Sequence, residues 1–207
     1  MLTILGKSSS INVRKVLWTC AEIGLDYRLE QYGSGFLPTD TPDFLRLNPN
    51  AMVPVIVDDG QPLWESNSIC RYLAHKHGRT DLLPATAMPR AQVEKWMDWQ
   101  ATELNNSWRY AFMALVRRSP KHADAAAIAA SAAEWNRLMG MLDAQLAETG
   151  AFVCGGQLTL ADVVLGLSAN RWRSVPMERP ALASVDAWFD RLSERDGFLT
   201  HGRNGLP

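Results

Sequence analysis

The sequence predicts an α+β chain in which a mixed strand-and-helix unit is followed by an all-helical one. Short apolar runs alternate with 3.6-residue apolar stripes as far as His77. Beyond His77 nothing resembles a strand, and the remaining apolar residues fall on two long helical faces. The chain has 207 residues, 47% hydrophobic and 21% charged, which is the composition of a folded protein and enough chain for one large domain or two small ones.

Leu2 to Leu5 is a short apolar strand that leads through Gly6 and the polar turn Lys7-Ser8-Ser9-Ser10 into a helical pattern. There Val13, Val16, Leu17 and Cys20 recur at i, i+3, i+4 and i+7, and Gly24 stands where a helix would stop. Tyr27 to Gln31 reads as a second strand, and a strand-helix-strand unit of this length is most simply a parallel crossover. A brief helix from about Pro42 and the turn Asn48-Pro49-Asn50 follow. Val55-Ile56-Val57 and Pro62-Leu63-Trp64 flank Asp58-Asp59-Gly60, a hairpin pattern, and a helix from Ser66 to about His77 completes the unit.

Gly78, Pro84 and Pro89 then punctuate a polar stretch. This places the domain boundary near residue 80, with one domain over 1–78, a linker over 79–88 and a helical domain over 89–207. In the second domain Val93, Trp96, Met97, Ala101, Leu104, Trp108, Phe112 and Leu115 trace one face of a single long helix. Ile128, Ala132, Trp135, Met139, Leu142 and Leu146 trace another, entered through the alanine-rich stretch Ala123 to Ala133, where alanine simply favours helix.

Composition closes off several classes of function. A net charge of −1 with scattered Lys and Arg supplies no pull on phosphate backbones, so no nucleic-acid partner is expected. No apolar run approaches the ~20 residues that span a bilayer. The opening MLTILG lacks the apolar length and cleavage pattern of a signal peptide, so the expected location is cytoplasmic, with no membrane partner. Cys20, Cys70 and Cys154 are widely spaced, form no Cys-x-x-Cys pair and have no His at ligand spacing; they are expected in the core, and no metal is expected.

Four segments carry more specific information. Lys7 to Lys15 joins the first strand to the first helix, Asn48-Pro49-Asn50-Ala51-Met52-Val53-Pro54 precedes the third strand, Glu65-Ser66-Asn67-Ser68-Ile69 opens the third helix, and Thr159-Leu160-Ala161-Asp162 follows Gly155-Gly156. In content and order they resemble the thiol-activating turn, the Asn-Pro-x-x-x-Val-Pro segment, the Glu-Ser-x-x-Ile segment and the Ser/Thr-x-x-Asp box of the soluble glutathione transferases. The resemblance runs over nearly the whole chain. It implies a thioredoxin-like N-terminal domain with an all-α C-terminal helical domain, glutathione as co-substrate, a small hydrophobic electrophile as second substrate, and a homodimer.

The resemblance also implies roles for residues. Val53-Pro54 would be a cis bond, with the Val53 backbone paired to the cysteinyl part of glutathione like an added strand. Ser66 reads as an N-cap at a helix terminus that holds a carboxylate, with Glu65 beside it for an ammonium, together matching the γ-glutamyl end. Thr159 and Asp162 form a capping box with a structural role only. Ser10 stands where Ser-type members carry the residue that activates the thiol, Asn12 where some bacterial members bring an Asn toward it, and Ser9 is the reserve candidate. A hydroxyl is too weak an acid to act as the base, so Ser10 would donate a hydrogen bond to the thiolate; as a helix N-cap its oxygen would instead accept one. Trp108, Arg109 and Phe112 are the first candidates for the wall of the electrophile pocket between the domains.

Two departures qualify the carry-over. Met52 occupies a place where many members have Lys or Gln, which makes Thr39 the candidate for a substitute contact. The serine-rich turn approaches that of the class that isomerises maleylacetoacetate but lacks its Cys. The leading reading is a glutathione transferase; the competing ones are a glutathione-dependent isomerase or peroxidase, and a non-catalytic binding module on the same fold.

Overall fold

The structure, a computed structural model, describes all 207 residues. Strand β1 (Leu2–Leu5) feeds helix α1 (Ile11–Ile23), which stops at Gly24 with φ 75°. That left-handed turn lets the N–H groups of Gly24 and Leu25 close back on the carbonyls of Ala21 and Cys20. Strand β2 (Tyr27–Glu30) lies parallel to β1, as the crossover requires, and α2 (Pro42–Leu47) is capped by Thr41, whose side chain accepts from the Phe44 N–H. Strands β3 (Val55–Asp58) and β4 (Gln61–Trp64) form an antiparallel hairpin. Its two-residue loop, Asp59-Gly60, has φ 50° and 78°, the primed geometry that matches strand twist. Helix α3 (Ser66–Lys76) completes a four-stranded sheet of order β2-β1-β3-β4.

Side-chain alternation decides what each face of the sheet meets. Ile4 and Ile56, partners across β1 and β3, face the main core with α1 and α3, whereas the next pair, Leu5 and Val55, turns to the other side against Phe44 of α2. The helical half follows as α4 (Ala87–Trp99), α5 (Asn105–Leu115), α6 (Ala125–Thr149), α7 (Leu160–Ser174), α8 (Ala183–Leu192) and α9 (Asp196–His201). No helix is long and apolar enough to cross a membrane.

Two sequence expectations are modified. The single long helix after Pro89 is interrupted by a π-helical turn, Gln100–Leu104, between α4 and α5. The widened turn shifts the register: Gln100 is buried, and Ala101, expected on the apolar face, is exposed. The polar stretch between α3 and α4 is also more than a tether, because Leu82 and Leu83 are buried and the Leu82 carbonyl accepts from the Leu160 N–H. One apolar core of 39 buried residues runs through both halves.

Asp162 anchors the helical half. It is fully buried at the head of α7, where one carboxylate oxygen accepts from the Thr159 N–H (2.8 Å) and hydroxyl (2.9 Å). The other accepts from the Val153 N–H (2.8 Å) and Trp188 Nε1 (2.9 Å). Removing the acceptor strands several donors inside the core. Asp162→Ala is therefore expected to lower unfolding free energy by about 3 kcal/mol or more; denaturant melts of the two proteins measure this, and a loss below ~1 kcal/mol would contradict the anchoring role.

Candidate functional site

The loop before β3 is presented by local bonding. Asn48 is buried, and its amide donates to the Met52 carbonyl (2.8 Å) while its oxygen accepts from the Asn50 backbone and side chain (3.0 and 3.1 Å). The Val53-Pro54 bond is cis. Neither the N–H nor the C=O of Val53 is hydrogen-bonded within the molecule. Gly6 allows this loop to approach α1, since a Cβ there would lie 2.5 Å from Val13 Cγ2 and 3.2 Å from Val53 Cβ.

Two helix N-termini converge nearby. In α3 the cap residue is Glu65, one position earlier than the sequence suggested; Ser66 is the first helical residue, so its hydroxyl makes no cap bond. Glu65 sits at φ 72° and ψ 109°, a conformation that costs a non-glycine residue of order 1–3 kcal/mol, and its carboxylate is exposed and unpaired. The N–H groups of Ser66, Asn67 and Ser68 have no acceptor within the protein. In α1 the cap residue is Ser10, whose hydroxyl makes no cap bond either, and the N–H groups of Ile11, Asn12 and Val13 are also free. A polar cleft of about 290 Å³ joins these elements: Asn12 and Lys15 of α1, Glu65 to Ser68 and Arg71 of α3, and Asp98, Ala101 and Asn105 from across the domain seam.

Of the residues singled out from sequence, the cleft therefore unites Asn12, Glu65 and Ser66. Ser10 heads the helix that supplies Asn12, while Ser9 is exposed. Thr39 is half-buried without a hydrogen bond, and Met52 is 62% exposed. Arg109 is exposed, whereas Phe112 is only 4% exposed and packs in the main core, with the Arg171 guanidinium 4.4 Å from its ring centroid. Trp108 is half-buried and packs against Phe112 and Trp135; its Nε1 donates to Asn105 Oδ1 (3.1 Å), and Asn105 lines the cleft. The cleft's far wall is thus Asp98, Ala101 and Asn105, exposed there by the π turn.

Sequence reasoning passed over Lys15, Asn67 and Gln100. Lys15 is 2% exposed, and its ammonium donates to Asn67 Oδ1 (3.1 Å) and Gln100 Oε1 (2.7 Å). Gln100 in turn donates to Asn105 Oδ1 and Ser168 Oγ (both 3.0 Å). The available signal was Arg14-Lys15 set among apolar residues on every side of one short helix, which marks a helix buried all round. Burial disfavours the thiolate form of the protein's own cysteines, pushing Cys20 up to about 12 and Cys70 and Cys154 to about 11.

Known proteins match this arrangement. Residues 9–76 fit the family model of the glutathione S-transferase N-terminal domain and residues 125–191 that of the C-terminal domain. Glutathione S-transferase GstB of Escherichia coli K12 is 38% identical over 197 residues, 94% of each chain. The chain belongs to the glutathione S-transferase family. Glutathione S-transferase 3 of Zea mays is a further relative, 32% identical over 95% of this chain and 91% of its own. The theta class glutathione S-transferase of Xanthomonas axonopodis pv. citri, solved with glutathione bound, superposes with a TM-score of 0.91 at 36% identity, covering 100% of this chain and 99% of that one. The fold expected from sequence, a thioredoxin-like half and a helical half, is the fold of these transferases.

The strained cap gives a prediction independent of ligand. Glu65→Gly removes the Cβ from the positive-φ position and is expected to raise unfolding free energy by up to about 1 kcal/mol, although a surface carboxylate is lost. A melting curve unchanged or shifted downward would show that the strain is not relieved.

Proposed function

We propose that this glutathione S-transferase binds glutathione along the cleft and activates its thiol at Ser10 for attack on a small hydrophobic electrophile. The observation that carries the reading is the pairing of two open helix N-termini around one polar cleft, one bearing Glu65 and the other an uncommitted Ser10 hydroxyl. The γ-glutamyl carboxylate meets the free N–H groups at the head of α3, and its ammonium meets Glu65. The cysteinyl backbone pairs with the unbonded N–H and C=O of Val53, between Met52 and Pro54. Thr39 and Met52 then lie toward the glycyl end, and Trp108, Arg109 and Phe112 toward the electrophile, where Trp108 contacts the cleft through Asn105.

The chemistry needs a thiolate at neutral pH. Ser10 donates a hydrogen bond to the sulfur, the dipole of α1 adds a favourable field, and Asn12 stands two residues along on the cleft side. The sulfur forms a bond to the electrophilic carbon, the leaving group departs with its electron pair, and the thiol proton passes to solvent. The protein acts in the cytoplasm as a homodimer in this reading, and the exposed Phe36 and Leu37 offer apolar surface for the partner copy.

Ser10→Ala is expected to raise the pKa of bound glutathione by about one unit and to lower turnover at neutral pH about tenfold, with little change in glutathione affinity. Ultraviolet titration of the bound thiolate reads the shift, and an unmoved titration would remove Ser10 from the mechanism. Glu65→Gln is expected to weaken glutathione binding about tenfold with no loss of melting temperature; calorimetric titration giving equal affinity would reassign the ammonium site.

A further inference from the structure

Lys15 is an unusual residue to find in the floor of a ligand cleft. A buried ammonium is normally matched by a carboxylate, because an unpaired charge in the interior is expensive. Lys15 has only the neutral amides of Asn67 and Gln100, one from α3 and one from the π turn. Asp98 and Glu94 of α4 pair with Arg71. An ammonium carries three donors, so one remains uncommitted.

The position of this charge is informative. Asn67, its partner, is the second residue of α3, and the three free N–H groups of that helix belong to Ser66, Asn67 and Ser68. Lys15 thus bonds the side chain of a residue in a terminus already suited to an anion, while exposed Glu65 presents the opposite charge in the same cleft. A cation and an anion so placed form the complement of a zwitterion.

We propose that Lys15 is the counter-charge of the γ-glutamyl carboxylate of glutathione, held at the first turn of α3 by Asn67 and Gln100 so that both halves of the molecule take part in gripping the peptide. The proposal rests on the glutathione reading above and goes beyond it by naming the residue that supplies the charge. Glutathione is in these terms the missing partner of a buried cation. Lys15 is a positioning residue: it orders the ligand and takes no part in the transfer itself.

The assignment has a pH consequence. Burial lowers the Lys15 pKa to about 8; the groups that face it are Cys70, Glu65 and Arg71 of α3, with Arg171 of α7. Cys70, pushed up to about 11, titrates well above that range. A lysine with a lowered pKa is charged below that value and neutral above it. Its contribution to carboxylate binding is therefore complete at pH values under about 7 and declines as pH rises through about 8.

The test uses S-methylglutathione, whose sulfur cannot ionise, titrated calorimetrically into wild type and Lys15→Met at several pH values from about 6.5 to 8.5. At the lower end the variant is expected to bind about tenfold more weakly, and the ratio is expected to shrink severalfold across the range as Lys15 discharges. A ratio independent of pH would mean that Lys15 is only a structural tie, and equal affinity at low pH would mean no role; either overturns the inference. A second probe needs only wild type: S-methylated 4-aminobutanoyl-cysteinylglycine, which lacks the γ-glutamyl carboxylate but keeps the amine. Its disadvantage against S-methylglutathione is expected to narrow over the same range, and a constant disadvantage overturns the proposal even if Lys15→Met does not fold. Failure of wild type to bind S-methylglutathione at any pH would overturn the glutathione reading as well.

Discussion

Trp18 of α1 is keyed into the helical half so closely that a Cβ at either of two facing glycines would crowd it. A Cβ at Gly166 of α7 would lie 2.8 Å from Leu192 Cδ1 and 3.1 Å from the Trp18 ring, and one at Gly197 of α9 would lie 2.6 Å from Trp18 Cδ1. Phe198 stacks beside it at 4.9 Å, and Trp18 Nε1 donates to Glu22 (2.8 Å), which is itself held by Arg195. Close-packed interiors transmit position rather than absorb it. The lock fixes α1, with Ser10 and Asn12 at its head, against α7 and α9.

The same burial explains the polar residues along α1. Arg14 is sealed inside and donates to Asn204 Oδ1 (3.1 Å) and to the carbonyls of Leu206 (3.1 Å) and Pro207 (2.8 Å), so residues 204–207 are folded back onto α1 one turn below Ser10. Lys15, on the adjacent side, bridges to α3 and the π turn. Arg171, 6% exposed, rests on the rings of Trp108 and Phe112 without a hydrogen-bond partner. Lys15 and Arg171 are thus buried with no carboxylate bonded to either, and of the two Lys15 lines the cleft, where a buried cation favours an anion beside it.

The groups around the cleft are held in place by the chain's own bonding. Asn48 holds the loop that presents Val53, Glu65 is fixed in a strained conformation, and both helix termini keep their N–H groups free. Strain of this kind persists only where the surrounding packing over-determines it, and the buried first turn of α3 supplies that packing. Preorganised donors cost nothing to reorient when charge develops on sulfur.

Much of this was legible in the sequence wherever the cause is local. The stripe from Val13 to Cys20, the Asp59-Gly60 turn, the Asn48 to Pro54 segment and the Thr159/Asp162 box each specify their structure through neighbours a few residues away, so strand and helix order and the family resemblance follow from the chain alone. Other features were decided by tertiary contact. The π turn that buries Gln100 and exposes Ala101, the burial of Phe112, the shift of the α3 cap from Ser66 to Glu65 and the unpaired charge of Lys15 all depend on which faces meet. Periodicity reports that a face is apolar without reporting what covers it, and a lysine's solvation is set by groups 52 and 85 residues away. The sequence by itself therefore determined the fold and the family resemblance, while only the packed structure decided which charges face the cleft, because desolvation is a property of the assembled interior and not of any stretch of chain.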